Sequence, residues 1–481
     1  MKLSELISPV SLSGPDIEII GLTLDSRAVE PGFLFAALPG LTVHGRDFIP
    51  QAIKAGAAAI LTEPGVDTGA VPTIFDTDPA ARFAAIAAQF YPRQPATIAA
   101  VTGTNGKSST VDFLRQIWRG AGIDGASLGT LGVARGDSWV ETGYTTPDAA
   151  AVHKALNDLA TDGCTHLAME ASSHGLKQKR MDGVRVTLTG FTNLTQDHLD
   201  YHPDFDDYFA SKMKLFLELA APGSPAVINV DSDWGEQVVS KCEARGLNVI
   251  QVGWRGRDWR IREIVPNAAS QMLNLEVDGK TRRIELPLVG EFQVANAIGA
   301  AALAAYSGLE EDAAIAAMGK LKGVPGRLEL AAHTPDGSPV LVDYAHTPDG
   351  LDKLIRAARP HTRGKIFIVF GCGGDRDPTK RKPMGEIAMR LADRVIITDD
   401  NPRSEEGANI RAKILEGAIG AEEIADRGQA IRAALGQMKA GDTLLLAGKG
   451  HETGQKIGSV IHPFDDREEA RKAVAELGGG R

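Results

Sequence analysis

The chain has 481 residues, too many for a single hydrophobic core, and 43% of them are hydrophobic, which is enough for several cores and excludes wholesale disorder. A formal charge of −10 excludes broad attraction to nucleic acid or to membrane surfaces, yet it leaves room for an anion site built locally from backbone N–H groups. Cys164, Cys242 and Cys372 have neither metal-ligand spacing nor a disulfide pattern, and no apolar run suits a membrane span or a secretory signal, so a reducing, cytoplasmic setting is expected.

Short β-branched runs alternate with Ala-rich helical stretches throughout, which predicts α/β architecture. The first run, at 17–24, is followed by Asp-Ser-Arg at 25–27 and a second apolar run at 33–37. Tyr-Pro-Arg-Gln-Pro at 91–95 reads as a linker, because two prolines in five residues suit neither a helix nor a central strand. A buried strand is predicted at 97–101. Directly after it stands Thr-Gly-Thr-Asn-Gly-Lys-Ser-Ser at 102–109, and then a helix with Val111, Leu114, Ile117 and Trp118 on its apolar face. Strand, glycine-rich turn and helix make a phosphate loop. Gly103, Thr104, Asn105 and Gly106 would wrap phosphate oxygens at the helix start, where Ser109 also lies. Lys107 would reach the terminal phosphates, and the Ser108 hydroxyl is placed for Mg²⁺. The common spacing has a further glycine where Val101 stands, so this is a variant loop. It points to ATP and is silent on the reaction.

His-Leu-Ala-Met-Glu at 166–170 reads as a strand ending in a carboxylate. Glu170 could hold Mg²⁺ in the sheet of the phosphate loop, or it could be a solvated strand end. A helix is predicted over 205–219 with Phe205, Tyr208, Phe209, Phe216 and Leu219 on one stripe. Lys212 falls on that stripe, whereas Lys214 falls on the polar side. A buried lysine is costly unless neutralised, paired or used. A neutral lysine can take up CO₂ as a carbamate, an anion and metal ligand, but spacing alone favours a packed stem with its ammonium in water. A second joint is predicted at Gly-Val-Pro-Gly, 323–326. Beyond it, strand-like runs at 340–342, 366–370, 395–397 and 443–447 each lead into polar or glycine-rich residues. Ligands of open α/β sheets bind outside the carboxyl ends of strands, so this last region should carry its own site.

Five motifs, in order along essentially the whole chain, resemble the Mur ligase family, which builds the stem peptide of bacterial peptidoglycan. They are Thr-Gly-Thr-Asn-Gly-Lys-Ser from 102, Glu-Ala-Ser-Ser-His-Gly-Leu at 170–176, Asp-His-Leu-Asp-Tyr-His at 197–202, Gly-Arg-Leu-Glu at 326–329 and Asp-Tyr-Ala-His-Thr-Pro-Asp at 343–349. The resemblance implies an α/β fold of three domains: a UDP-binding region at 1–90, a central P-loop ATPase-type domain at 91–325 and a C-terminal Rossmann-like domain at 326–481. It implies that ATP converts a substrate carboxylate into an acyl phosphate, that an amine attacks it, and that loss of phosphate leaves an amide. Lys107, Glu170, His198 and Lys212 are the implied catalytic set. Ser108, Glu170, His198 and carbamylated Lys212 are the implied Mg²⁺ ligands, and Asn296, Arg327 and Asp343 join the loop at ATP. Arg327 and Asp343 lie at or past the second joint, so closure of the last domain would complete the site.

Thr145, Thr146, Ser172, Gln178 and Arg180 resemble contacts to UDP-N-acetylmuramoyl-L-alanyl-D-glutamate, with Ser26 and the Leu41, Thr42, Val43 loop at the uridine end. The amine is then expected in a crevice lined by Arg376, by Asp400, Asn401, Pro402 and Arg403, and by Gly448 and Glu452. Arginine suits carboxylates and Glu452 an ammonium, which matches meso-diaminopimelate; taken alone, Asp-Asn-Pro is also an ordinary turn. L-Lysine as the amine, a folylpolyglutamate synthase-like ligase and an inactive nucleotide-binding scaffold are the alternatives. A monomer serving peptidoglycan synthesis, and through it cell shape and division, is expected. Cys372 is expected to pack beside the crevice.

Overall fold

The computed structural model describes residues 1–7, 15–40, 43–136, 138–140, 143, 145–195 and 201–479. Leu41, Thr42 and His198 lie outside them. The chain condenses into two compact units, Met1–Val252 with Ala302–Glu310, and Gly253–Ala301 with Glu311–Arg481.

The first unit opens with a four-stranded parallel sheet in the order Gly21–Thr23, Phe33–Ala36, Ala59–Thr62, Thr73–Phe75. Helix Pro79–Phe90 covers it with Phe83, Ala84, Ile86 and Ala87 buried; Asp78 caps its start by accepting from Ala81 N, with proline in the first turn. A larger sheet follows, whose strands run in the order Pro225–Asn229, Leu188–Phe191, Thr97–Thr102, His166–Glu170, Gly125–Gly129, all parallel. Gly132–Arg135 and Ser138–Val140 extend it antiparallel at one edge. The strand that feeds the phosphate loop is therefore central and, apart from Thr97, fully buried. Its register pairs Val101 with Glu170, which brings the ends of the two strands to the same level.

Helix Lys107–Gly120 buries Val111, Leu114, Ile117 and Trp118, as its period predicts, and Trp118 donates its indole N–H to Ser307 Oγ at 2.8 Å. The helix predicted over 205–219 has the expected extent but two parts. An α-helix, Phe205–Lys214, is capped by Asp204 and continues as a π-helical turn, Leu215–Leu219. Such turns insert one residue per turn and often occur at functional sites.

In the second unit, Trp259–Pro266, Gln271–Val277 and Lys280–Leu286 form an antiparallel meander. A six-stranded sheet follows in the order Glu329–His333, Pro339–Asp343, Thr443–Ala447, Ile366–Phe370, Arg394–Ile397, Glu422–Glu423. Only its first pair is antiparallel. The chain winds outward from Ile366–Phe370 and then returns to insert Thr443–Ala447 beside it. A reversal of strand order of this kind opens a crevice at the carboxyl ends of the strands. All four runs predicted from the sequence are strands here.

Candidate active site

Two glycines give the phosphate loop its shape. Gly103 and Gly106 have φ of +148° and +86°, and a Cβ on Gly103 would overlap Thr192 Oγ1. Gly106 stands directly before helix Lys107–Gly120, so the helix offers its first N–H groups and its dipole to an anion. A neighbouring segment splints the loop: Thr104 N donates to Asn193 O at 2.9 Å, and Asn105 N to Asn193 Oδ1 at 3.0 Å. Lys107 Nζ lies over the loop and donates to Gly103 O at 3.0 Å and Thr104 O at 2.9 Å.

Glu170 is 2% exposed, and the structure brings it to Ser108, whose Oγ donates to Oε1 at 2.8 Å. Thr130 grips the same carboxylate, with its N–H to Oε1 at 2.8 Å and its Oγ1 to Oε2 at 3.3 Å. Gly129 must be glycine because a Cβ there would overlap the Glu170 side chain. Lys212 is 1% exposed, so its ammonium does not reach water as spacing alone favours. Instead Nζ donates to Gly103 O at 2.8 Å and lies 4.4 Å from the centre of the Tyr208 ring. Tyr208 OH is in turn hydrogen-bonded to Thr104 Oγ1 at 3.1 Å. Lys107 and Lys212 thus share the Gly103 carbonyl.

Five residues expected at the muramoyl dipeptide form one polar network behind Glu170. Thr146 Oγ1 donates to Glu170 O at 3.0 Å and accepts from Ser172 N and Ser172 Oγ at 3.1 and 3.0 Å. Ser172 also caps helix Ser173–Lys177. Arg180 donates to Thr146 O at 2.6 Å and, through Nε and Nη2, to Gln178 Oε1 at 3.0 and 2.6 Å. Thr145 Oγ1 lies 3.0 Å from Thr130 Oγ1. Ser26 sits apart in the turn Ser26–Ala28 and donates to Gln51 Oε1 at 3.2 Å, while Val43 is exposed.

The sequence reading missed Thr130 and Tyr208 as supports of these groups, and it missed the role of His202, although that residue ends a motif already singled out. His202 is 1% exposed and bridges two elements, with Nδ1 2.6 Å from Asp207 Oδ2 and Nε2 3.0 Å from Ser173 Oγ. Lys177 Nζ reaches the same Asp207 oxygen at 2.7 Å. Lys177, then His202, hold the Asp207 carboxyl below its ordinary range.

In the second unit, Asp343 ends its strand and accepts from Leu328 N and Ala345 N, both at 2.8 Å. Solvent still reaches one side of it, yet burial raises its pKa against the pull of the Arg327 guanidinium, which lies 5.5 Å from the Tyr344 ring centre. Gln293 ties this pair to Asn296, donating to Arg327 O at 3.0 Å and accepting from Asn296 Nδ2 at 3.4 Å.

The loops after three of the sheet strands meet in one crevice. Gly374 N donates to Asn401 O at 2.9 Å, Arg403 Nη1 to Gly374 O at 2.7 Å, and Asn401 Nδ2 to Glu452 Oε2 at 2.8 Å. A Cβ on Gly448 would meet the Asp400 carboxylate, and one on Gly374 the Pro402 carbonyl. Arg403 holds φ at +54°, a left-handed conformation uncommon for arginine. Its N–H donates to Lys456 O at 3.0 Å and its carbonyl accepts from Gly458 N at 2.7 Å, so the hairpin Gly454–Ile457 and Val460–Pro463 keeps it there. Arg376 is exposed and donates to Asp375 O at 3.3 Å. Asp400 is 6% exposed; burial raises its pKa, opposed by Arg427 and then Lys449. Cys372 packs 3.7 Å from Met384 Sδ, and burial pushes its thiol up to about 12.

A strand-fed phosphate loop that hands a serine hydroxyl to a strand-end carboxylate defines a site for ATP and phosphoryl transfer. Family models match in three stretches: the Mur ligase family catalytic domain at 18–92, the Mur ligase middle domain at 101–304, and the Mur ligase glutamate ligase domain at 326–450. The chain is 49% identical over 481 residues to the UDP-N-acetylmuramoyl-L-alanyl-D-glutamate–2,6-diaminopimelate ligase of Chelativorans sp. (strain BNC1), covering 99% of each chain. It is 47% identical over 465 residues to the ligase of that name from Agrobacterium fabrum, covering 97% and 95%. A solved structure of a ligase of that name superposes with a TM-score of 0.75 at 32% identity over 99% of both chains. The Thermotoga maritima MurF ligase in complex with ADP shares the fold, with a TM-score of 0.63 at 18% identity over 95% and 97%. The chain belongs to the Mur ligase family and has its three-domain α/β fold, with ATP as co-substrate.

Proposed function

We propose that the chain joins meso-2,6-diaminopimelate to the D-glutamate of UDP-N-acetylmuramoyl-L-alanyl-D-glutamate, through an acyl phosphate formed from ATP. What carries the choice of amine is the crevice in the second unit, where Arg403 is held in a left-handed turn with its guanidinium on Gly374 O and Asn401 is bonded to Glu452. An arginine for a carboxylate and a glutamate for an ammonium fit an amino acid with both groups at its far end. The names of the relatives, at 45 to 49% identity, support the same substrate pair. The functional division we assign is 1–90 for the uridine end, 91–325 for ATP and the acyl phosphate, and 326–481 for the amine.

Lys107 and the loop N–H groups hold the terminal phosphates of ATP against the substrate carboxylate. The phosphoryl group moves to that carboxylate and ADP leaves. The neutral amine then attacks the acyl carbon, and the tetrahedral intermediate expels phosphate and yields the amide after losing a proton. Positioning and charge stabilisation supply most of the catalysis. Ser108 and Glu170 fit Mg²⁺, a hard cation that takes one or two carboxylates together with phosphate oxygens and water. Among the described residues no group of three or more His, Cys, Asp or Glu is placed to hold a metal ion, so the assignment rests on the pair Ser108 and Glu170. When bound, Mg²⁺ would neutralise phosphate charge. Lys212 is the residue we assign as a carbamate, formed when its neutral amine adds to CO₂ and releases a proton; its burial beside the phosphate loop supports this. His198 completes the assigned ligand set.

Thr145, Thr146, Ser172, Gln178 and Arg180 would seat the dipeptide, with Ser26 and the loop at 41–43 at the uridine. Among the described residues no helix is long and apolar enough to cross a membrane, in keeping with the cytoplasmic peptidoglycan-precursor synthesis we assign. The test is ADP and phosphate release by the purified protein with the UDP-muramoyl dipeptide, ATP and either meso-diaminopimelate or L-lysine. Turnover should depend on all substrates and favour meso-diaminopimelate. A preference for L-lysine would replace the amine assignment, and no release with either amine would refute the reaction.

A further inference from the structure

The crevice floor holds a lysine that the reaction scheme does not use. Lys449 is 0% exposed, against 6% for Asp400 and 7% for Asn401 beside it. A buried ammonium is retained only where several acceptors surround it, and here three do. Nζ donates to Gly454 O at 2.6 Å, to Asn401 Oδ1 at 3.3 Å and to Glu452 Oε2 at 3.4 Å. Asn401 Oδ1 accepts in addition from Lys456 N at 2.8 Å. With two donors on its oxygen, the Asn401 amide has one orientation open to it, and its NH₂ must face Glu452, which it meets at 2.8 Å.

Both contacts to Glu452 fall on Oε2, and among the described residues none is made to Oε1. The carboxylate is therefore fixed by one oxygen and presents the other. The charge of Lys449 also acts on Asp400, after the larger pull of Arg427. Gly454 and Lys456 begin the hairpin whose backbone holds Arg403, so a single ammonium links the two ends of the crevice.

We propose that Lys449 is a positioning residue for amine selection, aiming Glu452 Oε1 at the ammonium of the amino acid that is not acylated, while securing the hairpin behind Arg403. The inference rests on the amine assignment made above. The amine that attacks must be neutral, so an ion pair with Glu452 can be made only by the other nitrogen of a diamino acid.

The test uses the full-length Lys449→Met and Lys449→Gln variants, assayed for phosphate release with meso-diaminopimelate and with 2-aminopimelate, which lacks the second nitrogen. Lys449→Met should raise KM for meso-diaminopimelate roughly tenfold to a hundredfold, the range of a charge-assisted contact. KM for ATP and for the UDP-muramoyl dipeptide should stay unchanged, and the preference for meso-diaminopimelate over 2-aminopimelate should shrink. Lys449→Gln retains a donor and should fall between Lys449→Met and the native protein. In the double variant with Glu452→Gln, the Lys449→Met effect should largely vanish. Native KM values and native preference in both variants would overturn the inference. So would failure of both variants to fold, or loss of kcat with all three KM values kept, because Lys449 would then be structural only. Absence of meso-diaminopimelate turnover in the native protein would instead overturn the amine assignment.

Discussion

Lys212 offers a perturbation for which stability and activity should part. Methionine in its place keeps the length of the stem and removes the amine; arginine keeps a cation but forms no stable carbamate. The hydrogen bond lost from Lys212 Nζ to Gly103 O, 2.8 Å long, is worth about 1 kcal/mol net. The carbonyl is not orphaned, because Lys107 Nζ donates to it at 3.0 Å. Methionine at a site 1% exposed also ends the cost of desolvating the charged group that Lys212 carries, as ammonium or as carbamate, and packs well against Tyr208. The melting temperature of Lys212→Met should therefore stay near that of the native protein. Turnover should not. Removing one preorganised charged group costs about 10²–10³ in kcat, or roughly 3–4 kcal/mol, and the same loss is expected for Lys212→Arg. The assay is ADP release at saturating substrates, run beside thermal melts of both variants. Bicarbonate should not restore Lys212→Ala, whereas short carboxylic acids should restore part of its activity. Near-native kcat in Lys212→Arg would refute the carbamate, since a bare cation would then suffice.

Arg403→Ala should lower kcat/KM for meso-diaminopimelate by about 2–3 kcal/mol, the cost of a charge-assisted contact, and leave KM for ATP unchanged; unaltered kinetics would remove Arg403 from the amine site. Asp207 has its pKa held below 3.8, so its bonds to Lys177 and His202 contribute stability at pH values above that point, and the contribution is lost as pH falls through the depressed pKa. Chemical denaturation should accordingly show native protein more stable than Asp207→Asn at pH 7, with the gap closing in acid; a gap independent of pH would refute this. Cys372 and Cys242, both pushed up to about 12 by burial, should resist iodoacetamide at pH 8 in the native protein and react only on unfolding. Rapid labelling of either in the native state, read by mass spectrometry, would contradict the buried placement.

What could be read from the sequence was whatever depends on neighbours along the chain. The 3.6-residue period placed Val111, Leu114, Ile117 and Trp118 inside, and it put Lys212 on the buried face. It could not say where the ammonium goes, because the Gly103 carbonyl that receives it belongs to a different motif. The same limit hid Thr130: it is one hydroxyl in a turn until the pairing of Gly125–Gly129 with His166–Glu170 sets it against a carboxylate. The run at 17–24 is a strand only over Gly21–Thr23, because its first part pairs with the chain start, Leu3 N donating to Ile17 O and Ile19 N to Met1 O. The hairpin at 454–463 escaped notice because its strands are short and largely exposed, and so lack the alternation that marks a half-buried strand. In the sequence Lys449 stands between Gly448 and Gly450, with no apolar period to mark it as buried. Its burial follows from the start of that hairpin, whose exposed strands gave no signal, and from Asn401, 48 residues before it in sequence.

The left-handed Arg403 bears on how amine choice could change over evolutionary time. A left-handed arginine costs of order 1–3 kcal/mol and persists only while its surroundings enforce it, and here the enforcing groups are Lys456 O and Gly458 N. The tetrapeptide at 400–403 is therefore not a portable recognition word. Grafted into a relative whose chain lacks a hairpin at this height, it would relax toward an ordinary turn and aim its guanidinium elsewhere. On the amine assignment proposed above, a change of amine would call for change in two separate stretches, the tetrapeptide and the hairpin that holds it.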